Sequence, residues 1–183
     1  MPKQEDKRAR GWFIQRSYAY ETQDKDGQTI SNISEADWKR QVKEQWTSKI
    51  GDKDWLLMIF HDKDVLTNTD GTTSPKPLHA HGLVRFGTAK TQSAVIKAMN
   101  LSRSGNCQAV KSYVDSARYL LHISESAIND RKHRYHDDEV IELNKSIDET
   151  MSRTSGTNKK RPNDPDVNDY IDELSFNISQ SRS

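Results

Sequence analysis

The sequence predicts an α+β domain of ferredoxin-like (RRM-like) layout, in which β-α-β-β-α-β elements form an antiparallel sheet with helices on one face and a C-terminal helical extension. Four runs of apolar and aromatic residues have the length of strands, and segments between them repeat apolar residues at helical spacing. Of the 183 residues, 32% are hydrophobic and 30% are charged. This composition supports one core with polar loops or tails around it.

The first part of the chain predicts a tail, a strand and a helix. Residues 1–10 are charged and expected to be disordered, whereas residues 11–18 (GWFIQRSY) favour a strand. After a polar loop, Ser34 is a good N-cap and Asp37 stands three residues later, which predicts a helix ending at Gly51. Its buried stripe recurs every four residues and consists of Trp38, Val42 and Trp46.

Two strands separated by a long loop come next. Residues 54–61 (DWLLMIFH) are a continuous apolar run, which is typical of a central strand covered on both faces. Residues 62–77 are rich in Asp, Thr, Gly and Pro and predict a loop. Residues 78–86 (LHAHGLVRF) predict the following strand.

The remaining elements are shorter. Thr91 or Ser93 can cap a helix that runs to about Leu101. Residues 107–110 predict a short strand, and residues 112–122 have the pattern of an amphipathic helix.

The domain boundaries follow from composition. Residues 11–149 are expected to form one domain, in which residues 139–151 are helical. Residues 150–166 read as a linker, and residues 167–183 as a short tail able to form an amphipathic helix.

The overall charge limits the ways in which this chain can contact nucleic acid. The net charge is only +1, so any DNA contact is expected from local patches rather than a general basic excess. Cys107 is the single cysteine, which excludes an internal disulfide and a thiolate zinc cluster. The sequence shows no secretory signal and no apolar run of about 20 residues, which predicts a cytoplasmic protein without membrane contact.

Two histidines, His79 and His81, are separated by one residue within a predicted strand. Residues i and i+2 of a strand point to the same face, so both imidazoles can converge on one ion. Taken alone, the pair is equally well explained as an ordinary polar strand face.

A second polar group, His61-Asp62-Lys63-Asp64, follows directly on an apolar strand. If this strand lies beside the one that carries His79, then His61 and one of the two aspartates can complete a ligand cluster. Three imidazoles and a carboxylate suit Mn²⁺ and other mid-series divalent ions. The alternative is a surface turn in which an aspartate caps its own backbone.

A third group lies on the helix predicted over residues 112–122, where Tyr119 and His122 stand three residues apart and share a face. A neutral tyrosine hydroxyl is a poor nucleophile, but it serves phosphoryl transfer where a metal ion neutralises developing charge. His122 can contact the same phosphate. The alternative is a core tyrosine whose hydroxyl is bonded within the fold.

Taken in order, these motifs resemble the plasmid rolling-circle replication initiators of the RepB-like Rep family, which are HUH endonucleases. The matching segments are HDKD at 61–64, LHAHGLVRF at 78–86 and the run from RYLLH onward at 118–144. The resemblance covers about residues 11–144, and the family has the same ferredoxin-like layout.

The resemblance implies a site and an activity. Its nucleophile is Tyr119, and its ion is Mn²⁺, with Mg²⁺ as the alternative. The implied ligands, with the last carboxylate of the HDKD motif preferred over the first, are His61, Asp64, His79 and His81. The protein is expected to bind the double-strand origin and nick one strand at a single-stranded site. This leaves a 5′-phosphotyrosine and a 3′-OH primer.

Other residues are assigned lesser roles. Ala117 stands where relatives can carry a second tyrosine, and Tyr113 lies about 240° round the helix from Tyr119, so neither provides a paired nucleophile. His122 and Asp115 are auxiliary, since Asp115 shares the Tyr119 face and can activate water for a second cleavage. Host replication proteins and further copies of the chain are implied partners, although the tail is shorter than the oligomerisation domain of many relatives.

DNA contacts are expected from basic residues in local patches. These residues are Lys90, Lys97, Arg103, Lys111, Arg131, Lys132 and Arg134. The basic run 131–134 is equally well explained as a solvated turn. Neither His122, His133 nor His136 is needed as a ligand.

Three other functions remain open. Histidine and carboxylate ligands also suit a non-haem iron oxygenase, but the predicted helices argue against the β-sandwich that it needs. A non-catalytic origin-binding regulator on the same fold is a second alternative, and the intact motifs argue against it. A relaxase or transposase-type nickase is the closest alternative. Relaxases usually carry a third histidine in the cluster where this sequence has HDKD, so the motif favours the replication initiator.

Overall fold

The computed structural model describes residues 6–19, 21–23, 29–31, 33–130 and 132–152. Within them the chain forms nine strands, five α-helices and two short 3₁₀ helices, Ser104–Asn106 and Asp137–Glu139. The strands and α-helices, in chain order, are β1 (Arg8–Ser17), β2 (Glu21–Gln23), β3 (Thr29–Ser31), α1 (Glu35–Thr47), β4 (Trp55–His61), β5 (Val65–Thr67), β6 (Thr73–Pro75), β7 (His79–Thr91), α2 (Gln92–Met99), β8 (Cys107–Ala109), α3 (Tyr113–Leu120), α4 (Glu125–Asn129), β9 (Ile141–Leu143) and α5 (Ile147–Ser152).

Five strands form one sheet in the order β8-β1-β7-β4-β9. Every neighbouring pair in this sheet is antiparallel. β1 and β4 therefore run in the same direction on either side of β7, which is the split arrangement predicted from the sequence. The remaining strands form two separate pairs, β2 with β3 and β5 with β6.

Helices α1 and α2 cover one face of the sheet, as predicted. Ser34 caps α1 by accepting a hydrogen bond from the backbone N–H of Asp37, and Thr91 caps α2 in the same way at Ala94. The three residues of the predicted α1 stripe, Trp38, Val42 and Trp46, are all buried in this half of the core. The indole N–H of Trp46 donates to the carbonyl of Met99 at 2.9 Å and so joins the two helices.

The opposite face of the sheet is partly covered by α3. Alternation along the strands sends Leu57, Ile59 and Leu83 to this side, where they pack with Ala117 and Leu120 of α3. The histidines of β4 and β7 lie on the same side, because their positions continue the same alternation. The face that bears the predicted site is therefore flanked by α3 and is not open.

Two of the expected boundaries differ in the structure. β1 begins at Arg8, so residues 8–10 belong to the sheet and not to a disordered tail. Asp6 explains this order, because its carboxylate is hydrogen-bonded to Ser93 at the start of α2. The predicted loop at 62–77 contains the β5–β6 hairpin, since Val65–Thr67 pairs with Thr73–Pro75.

The prediction of a helix over residues 139–151 was wrong for its first half. Ile141–Leu143 instead forms β9, which pairs with the outer edge of β4. An unpaired sheet edge leaves backbone groups without partners, and pairing there outweighs a weak local preference for helix. Asn144, at φ 61°, ends the strand, and Ile147–Ser152 forms the helical part as α5.

The predicted linker and tail reach beyond the described residues. Helix α5 extends to Ser152, and residues 153–183 lie outside the part of the chain that the structure describes. None of the helices in the described part has both the length and the apolar character needed to cross a bilayer.

Candidate metal centre

The strand register brings three histidines together. His61 of β4 and His79 of β7 are direct cross-strand partners, and His81 pairs with Ile59, two residues before His61 in β4. Their ring centroids lie 5.2 Å apart for His61 and His79, 4.7 Å for His61 and His81, and 4.9 Å for His79 and His81. All three side chains are buried.

Hydrogen bonds fix which nitrogen of two of these rings is free. Nε2 of His61 donates to the carbonyl of Leu120 at 2.7 Å, so Nδ1 of the neutral ring carries the lone pair. Nδ1 of His79 donates to the carbonyl of Pro77 at 2.9 Å, which leaves the lone pair on Nε2. Such an anchoring bond on the opposite nitrogen is what orients metal-binding histidines in proteins.

Four buried atoms in this cluster have no hydrogen-bond partner. They are Nδ1 of His61, Nε2 of His79, Nδ1 of His81 and Oδ2 of Asp64. A buried polar atom without a partner costs about 1–3 kcal/mol, so four such atoms in one place need a common explanation. A bound cation provides one, because each of the four has a lone pair to donate.

The structure separates the two aspartates of the HDKD motif. Oδ2 of Asp64 lies 3.7 Å from Nδ1 of His61 and 3.6 Å from Nε2 of His79, with Nζ of Lys76 at 3.9 Å. Asp62 points away and pairs with Lys39 on α1 at 2.6 Å. The carboxylate that enters the cluster is therefore the one that the resemblance implies.

Burial keeps the imidazoles neutral. It lowers the pKa of His61 to about 2, with the neighbouring charge of His122 as the next cause. Burial also lowers the pKa of His79, and it lowers that of His81 well below its ordinary value. At neutral pH each ring therefore keeps a lone pair on one nitrogen, which is the state that a metal ligand needs.

The residues present thus fit a divalent ion. Potential ligand atoms of His61, His79 and His81 all lie within 4.8 Å of one another, and so do those of His61, Asp64 and His122. Imidazole and carboxylate together favour Mn²⁺, Fe²⁺ or Zn²⁺ over Ca²⁺. The buried cluster can therefore hold a metal ion.

His122 lies closer to this cluster than the sequence indicated. It was expected to be unnecessary as a ligand, yet its Nδ1 lies 3.4 Å from Oδ1 of Asp64, and its ring centroid is 4.2 Å from that of His61. Nδ1 also donates to the carbonyl of His133 at 2.8 Å. A positive φ of 57° at His122, just after α3, turns the chain so that the ring enters the core. The exposed side chains of His133 and His136 stay outside the cluster.

Tyr135 is a site residue that sequence reasoning missed. Its ring stacks on His61 with centroids 4.4 Å apart, and its hydroxyl donates to Oδ1 of Asp64 at 3.3 Å. The same hydroxyl accepts the backbone N–H of Lys63 at 3.0 Å. The one available signal was a lone aromatic residue within a charged run.

Tyr119 lies at the edge of the cluster. Its half-buried ring makes edge contacts with Phe13 and His81, at centroid distances of 5.6 and 5.8 Å. Nζ of Lys132 lies 3.5 Å from the Tyr119 hydroxyl and 5.1 Å from the ring centroid. The structure therefore brings the predicted nucleophile, a predicted DNA-binding lysine and a predicted ligand together.

A cleft of about 500 Å³ leads to this edge. Its floor includes Phe13, Gln15 and His81, and its wall includes Asp115 and Tyr119 of α3. A polar floor beside aromatic rings suits an unpaired nucleic-acid strand, because bases stack on aromatic side chains.

The predicted DNA-binding residues are dispersed. Lys111 lines the cleft and Lys132 approaches Tyr119, whereas Lys97 belongs to α2, on the opposite face of the sheet. Lys90 is also on that face, since its ammonium lies 5.8 Å above the ring of Phe86. Of the other predicted positions, Arg103 bonds Asn106, which lines the cleft. Arg134 stays a prediction, and Arg131 lies outside the described residues.

Fold and cluster together define a split β-α-β sheet domain with a buried histidine and carboxylate site beside an aromatic cleft. A family model described as the plasmid replication protein origin binding domain matches residues 18–148. The chain belongs to this family, so DNA of a plasmid origin is its partner. No match was found among curated proteins.

Proposed function

We propose that this chain initiates plasmid replication as an HUH-type nickase, cleaving one strand of its origin with Tyr119 as the nucleophile. The observation that carries the proposal is the set of four unpartnered buried atoms next to Tyr119 and the cleft. An origin-binding protein without chemistry has no need of neutral, buried imidazoles whose lone pairs converge.

The proposed ligands are His61, Asp64, His79 and His81, and Mn²⁺ is the proposed ion. When bound there, such an ion orients a phosphate and neutralises its charge. The chain contributes the fixed geometry, because Leu120 and Pro77 hold two of the imidazoles by their opposite nitrogens. A preformed site needs no reorganisation when the phosphate arrives.

In the proposed step, the Tyr119 hydroxyl oxygen forms a bond to the phosphorus of the scissile phosphodiester. The bond from phosphorus to the 3′ oxygen breaks, and the tyrosine proton passes, in net terms, to that 3′ oxygen. The products are a 5′-phosphotyrosine and a free 3′-OH. The number of phosphoester bonds is unchanged, so the step can run backward and rejoin the strand.

Lys132 and the cleft are proposed to position the reactants. The ammonium group of Lys132 lies beside the Tyr119 hydroxyl, where it favours negative charge on that oxygen during attack. The floor residues Phe13 and Gln15 are proposed to hold the unpaired DNA strand in the cleft. His81 lines the same cleft and is proposed to mark its end at the metal centre.

The test uses supercoiled DNA of the replicon that encodes this chain, incubated with the full-length protein and Mn²⁺. Conversion to open circles and a tyrosine–oligonucleotide adduct at residue 119 are expected. Tyr119→Phe should abolish both products, while Tyr18→Phe, on the opposite face of the sheet, should cleave normally. Cleavage that persists in Tyr119→Phe would contradict the assignment. Origin binding without cleavage by the metal-loaded wild type would reduce the function to that of a regulator.

A further inference from the structure

Three cations lie near Gly11, at the end of the sheet away from the histidines: Arg10 of β1, Arg85 of β7 and Lys111, two residues beyond β8. Arg85 of β7 is the Cα partner of Gly11, and Arg10 lies at the irregularity in the β1–β7 register just before Gly11. On the other side of β1, the backbone N–H of Val110 donates to the carbonyl of Gly11 at 3.0 Å, and Lys111 follows Val110 in the chain. Arg10 and Lys111 are exposed, and Arg85 is half-buried.

Within the described part of the chain, carboxylates do not pair with this group. Among the ion pairs of the described residues, none involves Arg10, Arg85 or Lys111. Like charges placed side by side across strands destabilise a sheet. A bound anion removes that cost, so the arrangement indicates an anion site.

Tyr113 completes the group. The ring of Tyr113 lies on the backbone of Gly11. The contact is so close that a Cβ added at Gly11 would lie 2.7 Å from Cζ of Tyr113. The absence of a side chain at Gly11 therefore leaves room for the phenol, whose hydroxyl accepts a hydrogen bond from Arg85 and is near enough to Arg10 to feel its charge. Burial raises the pKa of Tyr113, so the hydroxyl keeps its proton at neutral pH and can donate to a phosphate oxygen.

One member of the group, Lys111, lines the cleft of the proposed nicking site. Lys111 and the capping residue Ser112 line the cleft whose floor reaches His81. Along β1, the positions opposite Arg85 and His81 are Gly11 and Gln15, four residues apart. At ~3.4 Å per residue this is ~14 Å, or about four nucleotides of a stacked strand.

We propose that Arg10, Arg85, Lys111 and Tyr113 form a phosphate-binding site for single-stranded DNA, holding the strand about four nucleotides from the phosphate at the metal centre. The site is sequence-independent, because it contacts the backbone alone. It extends the proposed nicking function by giving the strand a second point of attachment, and its binding can be measured without any cleavage.

The test measures the affinity of the full-length protein for a fluorescent dT12 oligonucleotide over a range of salt concentrations. Each phosphate contact contributes about 0.7 to the slope of log K against log salt for a single strand. Arg10→Gln and Lys111→Gln should each lower the slope by about 0.7, and the double variant by about 1.4. Lys43→Gln, an exposed position of α1 on the other face, serves as the matched control and should leave the slope unchanged.

Gly11→Ala tests the geometry separately, because it displaces Tyr113 while leaving all three charges in place. Weaker dT12 binding with a nearly unchanged slope is expected. Unchanged salt slopes in both the Arg10 and Lys111 variants, with retained thermal unfolding transitions, would overturn the proposal. If the metal-loaded wild type does not nick DNA but the Arg10 and Lys111 variants lower the slope as expected, the nickase is refuted and this site still stands.

Discussion

Tyr135 lies flat against His61, with ring centroids 4.4 Å apart and the two planes at 13°. Its hydroxyl holds Oδ1 of Asp64, and the other carboxylate oxygen, Oδ2, is the one that faces His61 and His79. The two oxygens therefore have different tasks. Oδ1 accepts a hydrogen bond from Tyr135, and Oδ2 faces the candidate ion site.

Removing the Tyr135 hydroxyl should weaken metal binding. Tyr135→Phe keeps the ring stack but frees Asp64 to rotate, and loss of such an orienting partner typically costs 10–100-fold in metal affinity. Titration calorimetry with Mn²⁺ measures the change. Tyr18→Phe is the matched control, because its hydroxyl donates to the carbonyl of Ile33 on the other face of the sheet. Equal Mn²⁺ affinity in the two variants would mean that Tyr135 does not orient the carboxylate.

Much of the site could be predicted, because strand alternation fixes it locally. His79 and His81 had to share a face, and an apolar strand ending at His61 could place that residue beside them. Tyr135 could not be predicted in this way, since it lies 72 residues from its partner Lys63 and no local pattern encodes such a contact. The closeness of His122 to Asp64 could not be predicted either, because the direction of its side chain depends on a backbone turn after α3 and not on helix periodicity.

The fold likewise has parts that local residue patterns predict and parts that depend on distant partners. The long strands and α1 follow from residue patterns, and their caps and buried stripes are where those patterns put them. β9 has only three residues and exists because β4 offers it an edge. The ordering of residues 8–10 likewise depends on a distant partner, Asp6 with Ser93.

Acid should destabilise the metal-free protein before its carboxylates titrate. The pKa values of His61, His79 and His81 are lowered in the fold, so below about pH 6.5 the unfolded chain binds more protons than the native one. Stability should be constant above that pH and fall below it, by up to ~1.4 kcal/mol per pH unit for each histidine. Urea unfolding in EDTA at pH 7.5, 6.5 and 5.5 measures this. A flat profile between pH 6.5 and 5.5 would contradict the burial of neutral imidazoles.

Neutralising Lys132 should slow strand cleavage without weakening metal binding. Lys132→Gln removes the ammonium group 3.5 Å from the Tyr119 hydroxyl, and loss of one such stabilising donor costs about 10²-fold in rate. Single-turnover cleavage of an origin oligonucleotide gives the rate, and Mn²⁺ titration provides the second readout. Lys97→Gln, on the other face, should cleave at the wild-type rate. A slower rate that is matched by lost Mn²⁺ affinity would instead indicate a disturbed metal centre.

Gly82 should not tolerate a methyl group. A Cβ there would lie 2.8 Å from Cγ1 of Ile14 and 3.0 Å from Cζ3 of Trp46, so Gly82→Ala should cost about 1–3 kcal/mol of unfolding free energy. Gly105→Ala is the control, because nothing lies within 4 Å of its Cβ. Chemical denaturation of both variants measures the difference. Equal stability would show that α1 can move away from the sheet at little cost.

The β5–β6 hairpin emerges directly after Asp64 and closes through the backbone N–H of Lys76 donating to the Asp64 carbonyl at 2.8 Å. Its tip, a turn with Gly71 at φ 82°, is exposed and contributes no atom to the ligand cluster. Foreign sequence or a fluorophore attached at such a tip is carried by the hairpin without entering the core. The hairpin is therefore a ready attachment point for a reporter that senses occupancy of the neighbouring cluster while the cluster itself is left untouched.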